Sequence, residues 1–426
     1  MQRPKRYYES MKFLPSNLAK VTKIKLGIPF IAVLAGSVCF AGSVAAPYQI
    51  GLWEGFRPAA ISYTFDDDLP NQYVLAVPMF HTAGFKLTLF TVSSWVLSWP
   101  TLKTAASYND EIASHTVTHV VLTSVSGSQL ITELSGSQTA INQNITNQQC
   151  LTIAYPNCVV PSETTVAQYY IAGRGCSGSI VPSTPSDFYN ISSFVLGNQG
   201  LLNISDINNE ATAAYNQNGW CVYLIHALDS DSGYSPLPSA TLQASVNYMS
   251  TNQNKFWVET FGNVVRYIKE RNASSVAETS NTGNSITVQV TNSLDKSIYN
   301  YPITIRRPLP AGWPAAAVSQ NSNPISTQVV VAGSTILVMF DVVPNGGDVV
   351  ISETASAPVL SNPVLTPPSS LTISLGGQSN ANYAIYSSTD LLNWFPIQTN
   401  MMGGTYTNFT VTPSNSMQFY RAQWVP

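Results

Sequence analysis

The sequence predicts an α/β domain with a mostly parallel sheet or barrel, followed by two smaller all-β modules. Three observations support this prediction. Short apolar runs alternate with helix-like stretches as far as about residue 271, period-2 runs replace them afterwards, and a proline-rich stretch divides those runs. Strands separated by helices are typical of parallel sheets, whereas strands separated only by turns are typical of sandwiches. A chain of 426 residues has room for about two to three domains.

The elements of the α/β domain follow one another along the chain. Short apolar runs predict buried strands, and longer stretches between them predict helices. The predicted strands are 60–65, 87–92, 151–155, 221–225 and 255–258. The predicted helices are 74–84, 129–144, 239–251 and 264–271.

Beyond residue 272, runs such as 285–290 and 328–331 alternate apolar and polar side chains between Asn, Gly and Pro residues. This pattern predicts a β-sandwich module over residues 274–357 and a C-terminal β module over residues 358–426. Neither module contains His or Cys. We therefore expect structural packing there, with sugar binding or adhesion as the lesser alternative, and we expect a chain ending near Asn272 to keep its chemistry.

The first 45 residues predict an export signal. Basic residues end at Lys25, an apolar run covers residues 26–40, and small residues follow it, which is typical of a signal peptide cut after Ala45. The alternative is an uncleaved anchor, because the run counted through Ala46 has 21 residues. We favour cleavage and expect a secreted protein, extracellular, periplasmic or at the cell surface, with no membrane span after signal removal.

Charge argues against a nucleic-acid partner. The formal net charge is -3, and the residues after position 45 carry 12 basic against 21 acidic side chains, a net charge of -9. Such a surface repels a phosphate backbone. Only 10% of the residues are charged, as on many secreted proteins. The sequence carries no signal for an oligomeric state.

Two segments combine carboxylates and imidazoles. Asp66, Asp67 and Asp68 directly follow the first predicted strand, an arrangement that is costly unless a cation, a proton or solvent relieves the repulsion. The alternative is a solvated turn. His115 and His119, spaced as on one helical turn, could hold one metal from one face, or be ordinary polar helix residues. Together the segments predict a site of two histidines and one carboxylate.

Two further histidines are interpreted differently. His226 ends the apolar run 221–225, and ligands collect at the carboxyl ends of parallel strands, although a buried histidine with a structural role is the alternative. His81 lies within a helix-like stretch and away from any strand end. We favour a structural role for His81.

Taken together, these residues resemble the polysaccharide deacetylase family, the NodB-type carbohydrate esterases, over about residues 55–271. Residues 64–67 are similar to the family's T-F-D-D, 115–119 to its H-[ST]-x-x-H, 154–158 to a variant of its Y-P-Y-G, and 224–226 to its L-x-H. The resemblance implies an irregular (β/α) barrel. It also implies a divalent metal, usually zinc, that activates water to remove acetyl from an N-acetylated or O-acetylated sugar.

Carried over residue by residue, the resemblance implies a ligand set and a group of catalytic residues. The metal ligands are Asp67, His115 and His119. The catalytic groups are Asp66 as general base, His226 as general acid and the backbone N–H of Asn157 as an oxyanion donor.

The sequence also departs from the family pattern. Asp68 stands in place of the usual glycine, and Asn157-Cys158 in place of Tyr-Gly. Because the residues directly before Tyr155 in the third motif include no arginine, Arg174 is the candidate that orients Asp66. Asp187 is the candidate that orients His226.

Four cysteines follow the signal segment, and an oxidising compartment permits disulfides between them. We predict a bond between Cys158 and Cys176, since each follows an apolar or Gly-rich segment near the presumed active face. Cys150 with Cys158 is the rival pairing.

The function implied by the resemblance is a secreted, metal-dependent deacetylase of a polysaccharide or oligosaccharide. N-acetyl groups are the favoured target, with O-acetyl esters left open. The alternative is a cell-surface carbohydrate-binding or adhesion protein whose deacetylase-like domain is inactive. The presence of all the implied ligands and catalytic side chains argues against a loss of activity in that domain.

Overall fold

The computed structural model describes residues 42–367, 369–413 and 417–425. Most of the predicted signal peptide, residues 1–45, therefore lies outside the described residues. Within the described ranges, the helices are all too short or too polar to cross a membrane.

The α/β part is a parallel sheet that curls into an irregular barrel, which confirms the predicted fold class. A short strand, β1 (Gln49–Ile50), comes first. The barrel strands are β2 (Ala59–Asp66), β3 (Thr88–Thr91), β4 (Glu111–Ser114), β5 (Thr152–Ala154), β6 (Ala172–Arg174), β7 (Phe194–Val195), β8 (Trp220–Ile225) and β9 (Phe256–Val258). They pair in the order β6-β5-β4-β3-β2-β8-β7, and β9 adds to β2. A parallel bridge between Arg174 and Ile191 links β6 to the segment before β7, so the ring of strands closes.

Helices connect the strands. They are α1 (Val77–Thr82), α2 (Trp99–Ser107), α3 (Gly127–Ile131), α4 (Ser137–Asn144), α5 (Glu163–Val166), α6 (Ile204–Gln217), α7 (Ser239–Thr251) and α8 (Phe261–Ala273). The four predicted helices are present near α1, α3–α4, α7 and α8, whereas α2, α5 and α6 were not predicted. Two π-helical turns, Gln72–Ala76 and Thr132–Gly136, run directly into α1 and α4. Short 3-10 turns cover Glu54–Phe56, Leu122–Ser124 and Pro156–Cys158.

Strand β2 pairs with three strands, β3, β8 and β9, and all eight of its residues are buried. A parallel strand covered on both faces needs a continuous apolar run, and residues 59–65 supply most of one. Asp66 comes at the carboxyl end of that run. Asp66, and Asp67 and Asp68 after it, therefore lie at the edge of the sheet that is formed by the carboxyl ends of the strands.

The antiparallel strands after α8 confirm the two predicted all-β modules. The first eight strands are β10 (Ser275–Asn281), β11 (Ser285–Thr291), β12 (Ile303–Pro308), β13 (Ala315–Gln320), β14 (Asn323–Ile325), β15 (Thr327–Ala332), β16 (Thr335–Val342) and β17 (Val349–Thr354). They form two sheets, ordered β1-β12-β16-β15 and β10-β11-β17-β13-β14. Strand β1, from the start of the described chain, thus belongs to the sandwich.

The last module has two three-stranded sheets and a small core of its own. Its strands are β18 (Val359–Thr366), β19 (Ser370–Gly376), β20 (Asn382–Ser388), β21 (Phe395–Met401), β22 (Tyr406–Val411) and β23 (Phe419–Val425). The sheets are ordered β18-β19-β22 and β21-β20-β23. Leu375, Tyr383 and Ile385 are fully buried in the core between them.

The barrel and the sandwich share one hydrophobic core. A continuous cluster of buried side chains joins Trp53 and Ile268 to Ile286 and Ile305. The backbone N–H of Tyr301 also donates to the α8 carboxylate Glu270, at 2.8 Å. The sandwich is therefore the packing partner of α8, which the sequence did not indicate.

This shared core changes the expectation for a chain ending near Asn272. A chain ending at Ser274 removes Ile286, Ile303 and Ile305, which are fully buried members of the shared cluster. Each buried aliphatic side chain contributes about 1.5 to 3 kcal/mol, so we expect this truncation to aggregate or melt well below the full-length chain. Size-exclusion chromatography and thermal melting by circular dichroism measure this.

The matched control is a chain ending at Ser356, which removes only the last module and its separate core. It should stay monodisperse, with the melting temperature of the rest of the protein unchanged. A Ser274 truncation that melts like the Ser356 truncation would contradict the shared core.

Candidate active site

Asp66 is the last residue of strand β2, and Asp67 and Asp68 follow it; all three carboxylates are buried. Asp67 and Asp68 have left-handed backbone angles, φ 76° and 59°, which aspartate tolerates better than most residues. The chain therefore turns sharply and the three side chains point to different partners. Asp66 pairs with Arg174, Asp67 lies beside the histidines, and Asp68 accepts the backbone N–H of Leu97.

Asp67, His115 and His119 converge as a three-residue group. Nε2 of His119 lies 3.6 Å and Nε2 of His115 lies 3.8 Å from Oδ1 of Asp67. One potential ligand atom from each residue falls within 4.8 Å of the others. This donor set, one carboxylate and two imidazoles, is one that divalent metals bind in proteins. The structure thus brings together the three predicted ligands.

His115 is held in the form that a metal ligand needs. Its Nδ1 lies 2.8 Å from the carbonyl oxygen of Ala154, so in the neutral ring Nδ1–H donates and Nε2 keeps its lone pair toward Asp67. Burial lowers the pKa of His115 to about 4. The imidazole is therefore neutral near pH 7, and no proton has to leave before a cation binds.

The segment that carries the two histidines is a loop, so the helical spacing expected for His115 and His119 is wrong. Strand β4 ends at Ser114, and Thr116 and His119 have left-handed φ angles of 68° and 63°. The buried carboxylate of Glu133 accepts the backbone N–H groups of residues 117 and 118, each at 2.9 Å. These bonds occupy donors that a helix would use internally, and they fix the loop.

Glu133 was missed by the sequence reasoning. It lies in the π-helical turn before α4, is only 4% exposed, and also accepts the hydroxyl of Thr118 at 2.7 Å. The available signal was that Glu133 is the one charged residue in the predicted helix 129–144. A buried glutamate is rare unless it is paired, so a partner for Glu133 could have been sought.

Arg174 reaches Asp66 from the end of β6 and binds it through both oxygens. Nη1 donates to Oδ1 at 2.9 Å, and Nη2 donates to Oδ2 at 2.7 Å. Burial raises the pKa of Asp66, but the positive charge of the Arg174 guanidinium outweighs burial and lowers that pKa to about 2. The carboxylate is thus ionised and oriented, and the structure places Arg174 where the sequence analysis expected the orienting arginine.

His226 follows β8, and its Nε2 lies 3.9 Å from Oδ2 of Asp66. Its Nδ1 is buried, with no hydrogen-bond partner among the described residues. Asp187 instead accepts the backbone N–H of Tyr189 at 2.7 Å, so the expectation that Asp187 orients His226 is wrong. The ring contacts Tyr234, with centroids 5.0 Å apart.

Gln72 joins the ends of two neighbouring strands and was also missed. Its Nε2 donates to the backbone carbonyls of Asp66, at 2.6 Å, and of His226, at 2.9 Å. A buried amide between two strand-end carbonyls holds both catalytic candidates at a fixed separation. Glutamine is too common for sequence alone to have indicated this role.

The predicted disulfide between Cys158 and Cys176 is confirmed, with the two Cα atoms 5.7 Å apart. The rival pairing is wrong, because Cys150 is a buried free thiol. The bond joins the loop after β5, which contains Asn157 with φ 54°, to the segment after Arg174. It therefore ties the candidate oxyanion turn to the strand end that orients Asp66.

His81 lies away from this group, as expected. Its Nε2 is 2.7 Å from Oδ2 of Asp110, and Oδ1 of that carboxylate accepts the N–H of Leu87. Asp110 and Leu87 precede β4 and β3, so His81 is at the amino ends of the strands, whereas Asp66 and His226 are at the carboxyl ends.

Residues 55–170 match the polysaccharide deacetylase family. This confirms the resemblance over a segment that contains Asp66, the three potential metal ligands and Asn157. Arg174 and His226 lie beyond the matched segment, and their placement rests on the geometry above.

Individual proteins show more distant similarity. A gellan lyase from Bacillus sp. is 27% identical over 334 residues, which are 73% of this chain and 13% of the lyase, so the chain spans only a small part of that relative's length. A putative polysaccharide deacetylase from Mycobacterium smegmatis is similar with a TM-score of 0.41 and 14% identity, over 54% of this chain and 94% of that one. The Xyl-CE4 domain of a multidomain xylanase from the hindgut metagenome of Trinervitermes trinervoides has a TM-score of 0.36 and 19% identity, over 48% and 88%.

Replacing either histidine of the three-residue group should remove metal binding. With His115→Ala or His119→Ala only two ligands remain, and affinity for Zn²⁺ should fall by more than the roughly 10- to 100-fold that loss of a supporting residue costs. Isothermal titration and elemental analysis measure this. His81→Ala is the control and should bind Zn²⁺ as the wild type does. Full occupancy in His115→Ala would place the site elsewhere.

Proposed function

We propose that this chain is a secreted, metal-dependent deacetylase that hydrolyses acetyl groups, N-acetyl groups in the first place, from a polysaccharide or oligosaccharide. One observation carries the proposal: Asp67, His115 and His119 converge beside the ionised Asp66. The family match supports a hydrolase that acts on polysaccharide acetyl groups. The relative named gellan lyase adds support for a polysaccharide as substrate.

The donor set fits zinc best among the common divalent metals. Two imidazole nitrogens and one carboxylate oxygen are the ligands of many catalytic zinc sites, which keep a further position open. A cation held by Asp67, His115 and His119 would supply Lewis acidity, lowering the pKa of water and polarising the acetyl carbonyl.

Asp66 is the candidate general base. Arg174 holds both of its oxygens, so the carboxylate stays ionised and keeps one orientation. From that position it accepts the proton of the water that attacks the acetyl carbon. The backbone N–H of Asn157 donates to the oxygen that becomes negatively charged as the water adds.

His226 is the candidate general acid. Its Nε2 lies on the Asp66 side of the site, at the end of the neighbouring strand β8. When the C–N bond breaks, the leaving amine needs a proton, and His226 donates it, so that acetate and a free amine are released. A leaving group that is already a stable anion, such as an aryl oxide, needs no such proton.

Export is supported by two independent features. The N-terminal pattern of basic, apolar and small residues is typical of a signal peptide. The disulfide between Cys158 and Cys176 is typical of an oxidising compartment. Both favour an extracellular, periplasmic or cell-surface protein.

Acetate release tests the proposed function. Zinc-loaded protein should release acetate from acetylated chitooligomers, peptidoglycan or xylan. Asp66→Asn should retain zinc and lose about 10²- to 10⁴-fold in kcat, the range expected when a general base is removed. His226→Ala should lose a similar factor on N-acetyl substrates and much less on aryl acetates.

The control for this experiment is His81→Ala, which should keep the wild-type kcat. A zinc-loaded wild type that releases no acetate from any of these polymers would contradict the proposal and favour a carbohydrate-binding protein with an inactive domain.

Arg174 should set the acidic limb of the pH profile. In Arg174→Gln the lowering charge is gone while burial remains, so the pKa of Asp66 rises from about 2. Because Asp66 acts as a base only when ionised, the acidic limb of kcat/KM should move to higher pH, by about one to three units. Arg174→Lys keeps the charge and should shift the limb less. An acidic limb that is the same in all three proteins would show that another group controls it.

A further inference from the structure

An indole ring lies directly against one of the potential metal ligands. Trp95 is in the loop between β3 and α2, and its ring is stacked on the imidazole of His119, with centroids 5.1 Å apart and planes 27° apart. Trp95 is partly exposed. It therefore forms a wall of the site that a bound molecule can contact.

Backbone hydrogen bonds tie the Trp95 loop to the loop of the two histidines. The N–H of Ser93 donates to the carbonyl of Thr116 at 3.1 Å, and the N–H of Ser94 donates to the carbonyl of Val117 at 3.0 Å. Both bonds lie on the amino-terminal side of Trp95. The carboxyl-terminal side of the loop, after Trp95, has a different anchor.

Asp68 supplies that anchor. Its Oδ2 accepts the N–H of Leu97 at 3.0 Å, two residues beyond Trp95, and the side chain is 3% exposed. With φ at 59°, the backbone of residue 68 would suit glycine without strain, so the backbone alone gives no reason for an aspartate. A buried carboxylate is costly unless it is paired, and the contact with Leu97 provides a partner.

We propose that Trp95 is a substrate-contact residue and that Asp68 is its positioning residue. This inference rests on the proposed function and extends it to the class of substrate. Aromatic faces bury the apolar faces of rings, and the C–H face of a pyranose is such a surface. Tyr234 lies against His226, so aromatic rings contact both His119 and His226.

The consequence is a preference for chains over single sugars. A sugar unit next to the acetylated one would lie along Trp95, whereas a single acetylated sugar or a small ester would fill only the space at the metal ligands. The preferred substrate is therefore an oligosaccharide or polymer with further pyranose units beside the acetylated one.

The kinetic test compares Trp95→Ala and Asp68→Gly on an acetylated oligosaccharide and on an aryl acetate. Both variants should raise KM for the oligosaccharide by about fivefold with a much smaller change in kcat. The loss should be several times larger for the oligosaccharide than for the ester. Asp68→Asn keeps an oxygen that accepts the Leu97 N–H and should restore most of the oligosaccharide KM. The double variant should be no worse than Trp95→Ala.

A second readout does not depend on activity. Co²⁺ binds sites of nitrogen and oxygen ligands and quenches nearby tryptophan fluorescence. The contribution of Trp95 to this quenching is the difference in Co²⁺ quenching between the wild type and Trp95→Phe. In Asp68→Gly this contribution should shrink, because the indole no longer stays against His119, and in Asp68→Asn it should persist.

Several outcomes would overturn the inference. An unchanged oligosaccharide KM in Trp95→Ala would remove the substrate contact, and Co²⁺ quenching in Asp68→Gly equal to that of the wild type would remove the positioning role. If the metal-loaded wild type releases no acetate from any substrate, the proposed function fails separately. In that case binding of the oligosaccharide is titrated directly, and equal affinity in the wild type and Trp95→Ala would overturn the inference by itself.

Discussion

The burial of three consecutive carboxylates at the end of β2 is the constraint on which the site depends. A buried carboxylate destabilises the fold unless a cation or hydrogen-bond donors offset its desolvation. Each of the three carboxylates has a different partner that offsets its desolvation. Asp66 has the guanidinium of Arg174, Asp67 has two imidazoles and the prospect of a cation, and Asp68 has the backbone N–H of Leu97. The end of β6 and the two loops that provide these groups therefore meet at the end of β2.

Closure of the barrel makes these partnerships available. Arg174 is 108 residues from Asp66 in sequence, yet the curled sheet turns the ends of β6 and β2 toward each other. The bridge between Arg174 and Ile191 holds β6 in the ring, and the disulfide joins the next residues to the Asn157 turn. Elements that look like separate fold features therefore all restrain the geometry around Asp66.

The opposite side of the barrel depends on the sandwich. Helix α8 is buried on both sides, against the barrel and against the strands that follow it, and β1 pairs with β12. Without the sandwich, the buried cluster that contains Trp53 and Ile268 would lose its members Ile286 and Ile305. The sandwich thus stabilises the catalytic domain without contributing any histidine to it, whereas the last module packs around a core of its own.

The sequence by itself determined the elements and the chemistry that local patterns encode. Apolar runs located β2 and β8, helix 239–251 was predicted with the bounds of α7, and the motifs singled out Asp67, His115 and His119. Predictions from local sequence patterns were wrong where a side chain distant in sequence determines the backbone conformation. The bonds from Glu133 make a loop of residues 115–119, and His226 has no partnership with Asp187. Only the tertiary structure decided that Asp68 holds the Trp95 loop and that the sandwich covers α8. Such contacts depend on how the sheet curls and on which loops its strand ends bring together, which the spacing of residues along the chain does not record.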